Sequence, residues 1–396
     1  MKKIMILGAS VLQVPAIEEA KKLGYYVIAV DMNKDAVGMP LADKSYVVST
    51  IDMEEVLKVA KQEKIDAITT IASDMPMRTV AYVCEKMNLK GISMDTAIKA
   101  TDKYEMRKVM KGNNVPIPMF FHTNNFDNFC KIVKNMPIPY IVKPSDNSGS
   151  RGIFKVETEK IDLKEVYEYV TKNSRKGWIL VEEYMEGPEV SVESITYNGV
   201  TEVIAITDKL TTGSPYFVEM GHSQYTKHSK KTQNEIKKIT KMAIDAVGIT
   251  NGPSHTEIKI TKDGPKIVEI GARLGGDNIN THLVPLSTGI NIVRESLKIA
   301  MGEEPIIKFK YNKGSAIRYI SGSKGIIKGI SDIDNIKKED GVEVIHIDKK
   351  IGEEVSNIRS SNDRIGYVIA TATTPEEAIK KCENAIENIK IELTDV

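Results

Sequence analysis

Cysteine is scarce in this chain of 396 residues: Cys84, Cys130 and Cys382 stand far apart, with no paired spacing. That pattern fits neither a disulfide framework nor a thiolate zinc site, and it suits a reducing, cytoplasmic compartment. Net charge is nearly absent as well, with 55 basic against 54 acidic residues. No field therefore covers the whole surface to draw in nucleic acid or a membrane. No apolar run approaches the roughly 20 residues that span a bilayer. The start, Met1-Lys2-Lys3-Ile4-Met5-Ile6-Leu7-Gly8, is basic, but its apolar run stops after four residues. It reads as a strand and not as a signal peptide. Repeats and low-complexity tracts are missing too. What remains is an ordinary globular composition, 41% hydrophobic, in a chain long enough for two or three domains.

The first hundred residues alternate short apolar runs with amphipathic stretches. Lys3–Leu7 and Tyr26–Val30 read as buried parallel strands. Between them Pro15 suits a first helical turn, Ala16, Ile17, Ala20 and Leu23 share a face, and Gly24 ends the helix. With further strands at Tyr46–Val48 and Ile65–Ile71, and a helix face of Val80, Val83, Cys84 and Met87, the pattern is doubly wound α/β. Asp102 and Glu105 suit a capping box for a helix ending near Gly112, and Val115-Pro116-Ile117-Pro118 forces an extended connection. Strand-like pieces follow at Tyr140–Lys143, Ile153–Val156 and Trp178–Glu183, with a helix around Leu163–Val170. Asn198-Gly199 joins Val190–Thr196 to Val203–Ile206 in a tight hairpin. A helix near Glu235–Val247 precedes a second hairpin, His255–Ile260 with Lys266–Ile270. Strands at Val342–Ile347 and Tyr367–Ala372 and a helix from Pro375 to about Ile389 close the chain.

Three stretches carry chemistry. In the second hairpin Ile258, Ile260, Val268 and Ile270 share one face only if the register sets even-numbered residues together. A three-residue turn, Lys262-Asp263-Gly264 with Gly264 left-handed, places Glu257 directly opposite Glu269. Facing carboxylates repel, whereas a divalent cation between them would neutralise the pair. A solvated pair on an exposed face is the other reading. The second stretch, Ile141-Val142-Lys143 followed by Pro144-Ser145-Asp146-Asn147-Ser148-Gly149-Ser150-Arg151-Gly152, delivers a lysine from a strand into a loop of small residues. Such loops turn backbone N–H groups toward phosphate, although a plain hairpin loop has the same composition. The third, Val181-Glu182-Glu183-Tyr184-Met185-Glu186-Gly187-Pro188-Glu189, sets carboxylates and free backbone groups at a strand end. Taken alone it is equally a solvated acidic turn.

In their order and spacing these pieces resemble the ATP-grasp superfamily. Glu257, Glu269 and Arg273, separated by twelve and four residues, are similar to the metal-and-phosphate motif of biotin carboxylase and D-alanine–D-alanine ligase. The resemblance implies ATP and Mg2+ as cofactors, with Mn2+ as a stand-in, Glu257 and Glu269 as metal ligands, the first of one ion and the second shared between two, and Arg273 facing the transferred phosphoryl group. It implies Lys103 and Lys143 as nucleotide-phosphate lysines, the second also catalytic. Ser148, Gly149, Ser150 and Gly152 fall in the phosphate loop, Glu182, Glu183 and Met185 in the adenine hinge, and Glu189 at the ribose. The implied fold is an N-terminal Rossmann-like domain (1–100), an ATP-grasp domain (101–305, lid about 116–184) and a small C-terminal α+β domain (306–396). Glu269-Ile270-Gly271-Ala272-Arg273-Leu274-Gly275-Gly276-Asp277 and Glu219-Met220-Gly221-His222 resemble the L-amino acid ligase branch, which puts His222, Gly275, Gly276 and Asp277 near substrate. Asp277 is expected either to cap the next helix or to pair with a substrate ammonium.

The implied activity is ligation of a carboxylate to an amine through an acyl phosphate, with release of ADP and phosphate. Its partners are small molecules, and a homodimer is the candidate assembly. One departure stands out: many ATP-grasp enzymes carry a metal-binding asparagine where this chain has Gly271. Ligases or carboxylases of nucleotide-precursor metabolism share the framework, and a non-catalytic nucleotide sensor would share the fold. A dinucleotide-binding dehydrogenase fits less well, because Ser10 and Gln13 occupy fingerprint glycine positions. His122, His282 and His346 have no metal-ligand spacing and read as structural, and Lys227–Lys231 reads as a basic loop. His255, two residues before Glu257, reads equally as structural or functional.

Overall fold

The computed structural model describes residues 1–147, 152–214 and 216–394. Apolar runs at the start become four parallel strands, β1 (Lys3–Leu7), β2 (Tyr26–Asp31), β3 (Lys44–Val47) and β4 (Ala67–Thr69), in the order β3-β2-β1-β4. Helix Val14–Lys22 joins β1 to β2, Met53–Glu63 joins β3 to β4 and Met77–Met87 follows β4, with Pro15 in the first turn of the first and Asp52 capping the second. Met5, Leu7, Ile28 and Val30 meet Val56, Val80 and Val83 in one core. After helix Met94–Thr101, Asp102 caps helix Lys103–Gly112 by accepting from Tyr104 N and Glu105 N.

Next comes an antiparallel sheet of β5 (Phe120–Thr123), β6 (Tyr140–Pro144), β7 (Phe154–Val156) and β8 (Ile179–Glu183), ordered β5-β8-β6-β7. Helices Phe126–Val133 and Leu163–Lys172 pack on it through Phe129, Val133, Val166 and Val170. The remaining strands are β9 (Glu189–Tyr197), β10 (Val200–Thr211), β11 (Glu219–Gln224), β12 (Gly252–Thr261), β13 (Gly264–Gly271), β14 (Gly314–Ile320), β15 (Gly325–Ile330), β16 (Val342–Ile347), β17 (Glu354–Val355), β18 (Gly366–Ala372) and β19 (Ile391–Leu393). Asn198 and Gly199, with φ of 50° and 79°, make the turn between β9 and β10. No helix among the described residues is long and apolar enough to cross a membrane.

Two compact units result. One holds Met1–Val203, Lys230–Gly276 and Val293–Ile306; the other holds Ile204–Ser229, Asp277–Ile292 and Ile307–Val396. The first contains the parallel sheet, the β5–β8 sheet and the antiparallel run β13-β12-β9. The second contains the run β10-β11-β14-β18-β16 and the small sheet β17-β15-β19, cored by Ala316, Ile327, Val368 and Cys382.

The β12–β13 hairpin departs from expectation in an informative way. Its glutamates do face each other, Glu257 opposite Glu269. The turn, however, is two residues long, with Thr261 opposite Gly264, and the surplus residue reappears as a bulge because Ile258 opposes Ile267. Val268 is that surplus residue, and Ile267 takes the fully buried place expected for it. A bulge frees a backbone group from the ladder. Here the Val268 carbonyl accepts from Arg107 Nη2 at 2.7 Å.

Arg107 is 1% exposed and also donates through Nε to Glu182 at 2.7 Å, so it ties the helix, β8 and the bulge together. Removing one partner of a buried pair costs about 3–5 kcal/mol. Arg107→Met is expected near the lower end, about 3 kcal/mol, because Glu182 keeps a second cation. Exposed Lys108→Met should stay within about 0.5 kcal/mol. Urea denaturation checks this, and equal losses for the two variants would refute the tie.

Candidate active site

The site in the first unit starts from the facing glutamates of β12 and β13. Both side chains are about a quarter exposed, 27% for Glu257 and 28% for Glu269. His255 shares the strand face of Glu257. Its Nδ1 lies 2.6 Å from Oε1 of Glu193 on β9, and its Nε2 lies 3.7 Å from Glu257 Oε1. Burial works against the imidazolium, but the Glu193 carboxylate outweighs it and raises the pKa to about 9.

Helix Lys103–Gly112 begins at Lys103 because Asp102 caps it there, and this aims the lysine at the hairpin. Lys103 Nζ lies 2.9 Å from Glu269 Oε1 and 3.0 Å from the Asn147 carbonyl. Lys143, on β6, reaches Glu182 Oε2 at 2.7 Å, while Arg107 holds the same carboxylate. Burial opposes charge on Glu182, yet Arg107 and Lys143 together pull its pKa down to about 2. Burial pushes the Lys143 pKa below the ordinary lysine value, Glu182 resists, and the Arg107 and Lys103 charges add to the lowering. Arg273 donates through Nε and Nη2 to the two oxygens of Asp74, each at 2.8 Å. Burial raises the Asp74 carboxyl pKa, but Arg273 more than offsets this and holds it below the usual range.

The remaining expected residues divide clearly. Glu183 pairs with Lys266, and Glu189 lies 3.2 Å from Lys259. Met185 is half-buried just after β8. Ser148, Gly149 and Ser150 lie outside the described residues, while Gly152 has a φ of 77°. A Cβ on Gly276 would meet only the Ala72 Cβ at 3.9 Å, so close packing does not require glycine there.

His222 and Asp277 belong to the second unit, where they form a charged cluster. His222 Nε2 lies 3.4 Å from Asp277 Oδ2, and Arg364 donates to both Asp277 oxygens at 3.2 and 3.1 Å. Lys209 Nζ lies 2.7 Å from Glu219 Oε1. Arg364 also stacks on the Tyr319 ring, 3.7 Å from its centroid. Asp277 does not cap the following helix, as one reading of the sequence expected. Its φ of 52° turns its carboxylate to Arg364, and Asn278 precedes the helix without a side-chain cap. Burial opposes its charge, but the His222 bond and Arg364 hold its pKa below the carboxylate range. Glu219 is shifted upward, chiefly by burial, with the Asp277 charge adding to it. Ligand atoms of Glu219, His222 and Asp277 lie within 4.8 Å of one another. Lys209 and Arg364 already supply the positive charge a cation would bring.

Sequence reasoning missed Arg107, Asp74, Glu193 and Arg364. Only Arg107 left a signal, since it stands four residues after Lys103 and shares its helix face. The others arrive from distant segments.

Glu257 and Glu269 offer oxygen donors on facing residues, and an ammonium is already drawn to one of them. That donor set suits a hard divalent cation. A family model described as ATP-grasp domain matches residues 136–281, and one described as L-amino acid ligase C-terminal domain 2 matches residues 318–394. Alanine–anticapsin ligase of Bacillus subtilis (strain 168) is 27% identical over 249 residues, 57% of this chain and 52% of its own length. The crystal structure of phosphoribosylglycinamide synthetase from Anaerococcus prevotii superposes with a TM-score of 0.82 at 26% identity, covering 99% of this chain and 100% of that one. L-amino acid ligase from Bacillus licheniformis shares the fold with a TM-score of 0.86 at 22% identity, covering 100% and 99%. Residues 136–281 thus form an ATP-grasp domain, in a chain with the fold of ATP-grasp ligases. Its C-terminal residues form the domain found in L-amino acid ligases.

The pKa of Glu182 generates a prediction. A folded-state value of about 2, below the ordinary 4.5, means stability that is complete above the ordinary value and lost as pH falls through the interval between them. Wild-type protein should therefore resist urea better than Glu182→Gln at pH 7, and the gap should close between pH 4.5 and 2. A gap that does not change with pH would contradict the charge assignment.

Proposed function

We propose that this protein joins an amino acid, through its carboxylate, to an amine, using ATP and releasing ADP and phosphate. The observation that carries the reading is the pair of facing glutamates with Lys103 on Glu269, Arg273 acting on both, and Lys143 held by Glu182 within the electrostatic reach of Lys103, in a chain whose residues 318–394 match an L-amino acid ligase domain. Lys103, Lys143, Ser148, Gly149, Ser150 and Gly152 take the nucleotide phosphates. Glu182, Glu183 and Met185 border the adenine, and Glu189 the ribose. Glu257 and Glu269 would hold magnesium, which when bound offsets phosphate charge.

The substrate carboxylate attacks the γ-phosphorus, the bond to the bridging oxygen breaks, and ADP leaves. Lys143 and Arg273 stabilise the charge spread over the phosphoryl oxygens. The amine nitrogen then attacks the acyl carbon and loses a proton, phosphate departs, and an amide remains. Glu219, His222, Asp277, Lys209 and Arg364 present both signs of charge, as an amino acid zwitterion requires. Gly275 and Gly276 carry no side chains, so an oxyanion can approach the backbone after Arg273 closely. Residues 1–100, 101–305 and 306–396 act as the Rossmann-like, ATP-grasp and closing domains of a cytoplasmic enzyme.

The likeness to phosphoribosylglycinamide synthetase over nearly the whole chain favours one second reading, a ligase acting on a nucleotide precursor. Purified protein with ATP, magnesium and pairs of amino acids should release ADP faster with one pair than with either member alone. Mass spectrometry should show the condensed amide. ADP release only with a phosphoribosylated amine, or AMP as the product, would overturn the reading. Glu269→Gln should lower the rate more than Glu257→Gln, because the resemblance gives Glu269 the bridging place between two metals. Near-normal activity of Glu269→Gln at saturating magnesium would remove the metal assignment.

A further inference from the structure

Gly271 stands where the resemblance leads one to expect a side chain. Its backbone conformation does not demand glycine, because its φ lies outside the positive range. Space does. A Cβ built there would lie 2.9 Å from Asp74 Oδ1 and 3.3 Å from both Cζ and Nε of Arg273. The volume an ordinary residue would fill is taken by the Asp74–Arg273 ion pair, whose side chains are 17% and 15% exposed. Asp74 lies on the segment after β4, and that segment is pinned beside β13. Ala72 N donates to the Leu274 carbonyl at 3.0 Å, and Ala72 holds a left-handed φ of 58°. An alanine in that region indicates that the surroundings dictate the loop's path.

The hydrogen bonds of Arg273 show what the pair does. A guanidinium carries five N–H donors. Asp74 takes one on Nε and one on Nη2, and the Leu274 carbonyl takes one on Nη1 at 3.3 Å. Among the described residues two remain, one on each Nη. Together they match two oxygens of one carboxylate or one phosphoryl group. Each Asp74 oxygen accepts one bond from Arg273, so the carboxylate faces the guanidinium side-on.

We propose that Asp74 is the positioning residue for Arg273, fixing the guanidinium so that its remaining Nη donors meet the reacting oxygens. Gly271 is glycine because any side chain there would displace Asp74. The kinetic consequence rests on the ligase reading above; the steric linkage of Gly271 and Asp74 does not.

Two measurements separate them. In the first, urea midpoints are compared for wild type, Gly271→Ala, Asp74→Ala and the double variant. Gly271→Ala should lower the midpoint of wild type and leave that of Asp74→Ala nearly unchanged, because the Cβ then meets no carboxylate. Equal shifts in both backgrounds would overturn the linkage whether or not the protein is a ligase. In the second, ADP release is measured for Asp74→Asn, which keeps the shape and removes the charge. The kcat should fall roughly a hundredfold, as displacement of a positioned group does, while KM for ATP stays within about twofold. A kcat within about twofold of wild type, or a loss confined to KM, would overturn the positioning role.

Discussion

A single buried carboxylate, Glu182, sits between Arg107 and Lys143, all three nearly withdrawn from solvent, and much of the first unit depends on it. Ions leave water at a cost of several kcal/mol each, recovered only with close partners and good geometry. Glu182 supplies that for two cations at once, and Arg107 extends the tie to the bulge of β13. One negative charge against two positive ones does not balance. The surplus falls on Lys143, whose ammonium is destabilised by burial and by the neighbouring Arg107 and Lys103. A buried cation in that condition is stabilised by an incoming anion, and this is the electrostatic state a phosphate site requires before its ligand arrives.

The same arrangement shows which features a sequence reveals. The strands of the parallel sheet were legible because a strand buried on both faces is an unbroken apolar run, as at Ile4–Leu7 and Val27–Val30. The facing of Glu257 and Glu269 was legible because strand periodicity is strict and a one-residue slip would expose the core face. The turn and the bulge were not, since two errors of one residue cancel at the glutamates. What fixes the bulge is Arg107, some 160 residues away, which no local pattern reports. Strand β14 escaped notice for a related reason. It is buried along its whole length, yet its Gly314, Ser315 and Arg318 interrupt the apolar run. Asp74, Glu193 and Arg364 are single charged residues in segments with no motif. Their meaning comes only from what the fold sets beside them.

Asp277 illustrates the remaining ambiguity. A residue after two glycines and before a helix suits a cap as well as an ion-pair partner, and local sequence weighs the two equally. The structure decides by contact: Asp277, at a φ of 52°, precedes the cap position, and its carboxylate meets Arg364 and His222. That places Arg364 among the charged groups that any ligand of the second unit's cluster would meet. It also explains why Glu219, held by Lys209, and Asp277, held by Arg364, tolerate their closeness.

In the first unit every cation proposed to meet phosphate already holds a carboxylate: Lys103 with Glu269, Lys143 with Glu182, Arg273 with Asp74. These pairs differ in kind. Glu182 and Asp74 each hold their cation in a geometry that leaves donors for a ligand, so they orient it. Lys103 and Glu269 compete with the proposed ligands, because the ammonium occupies the carboxylate a metal would use. A metal arriving alone would displace Lys103 and strand a cation among buried charges. A nucleotide arriving alone would draw Lys103 away and leave His255 and Arg273 as the cations beside the facing Glu257 and Glu269. Arriving together, the two exchange partners with Lys103 and Glu269 and leave no charge unpaired. By linkage, each then strengthens binding of the other by the same factor. On the proposed function, the pairing thus favours the metal–nucleotide complex over either component, through two side chains whose contact is visible before any ligand binds.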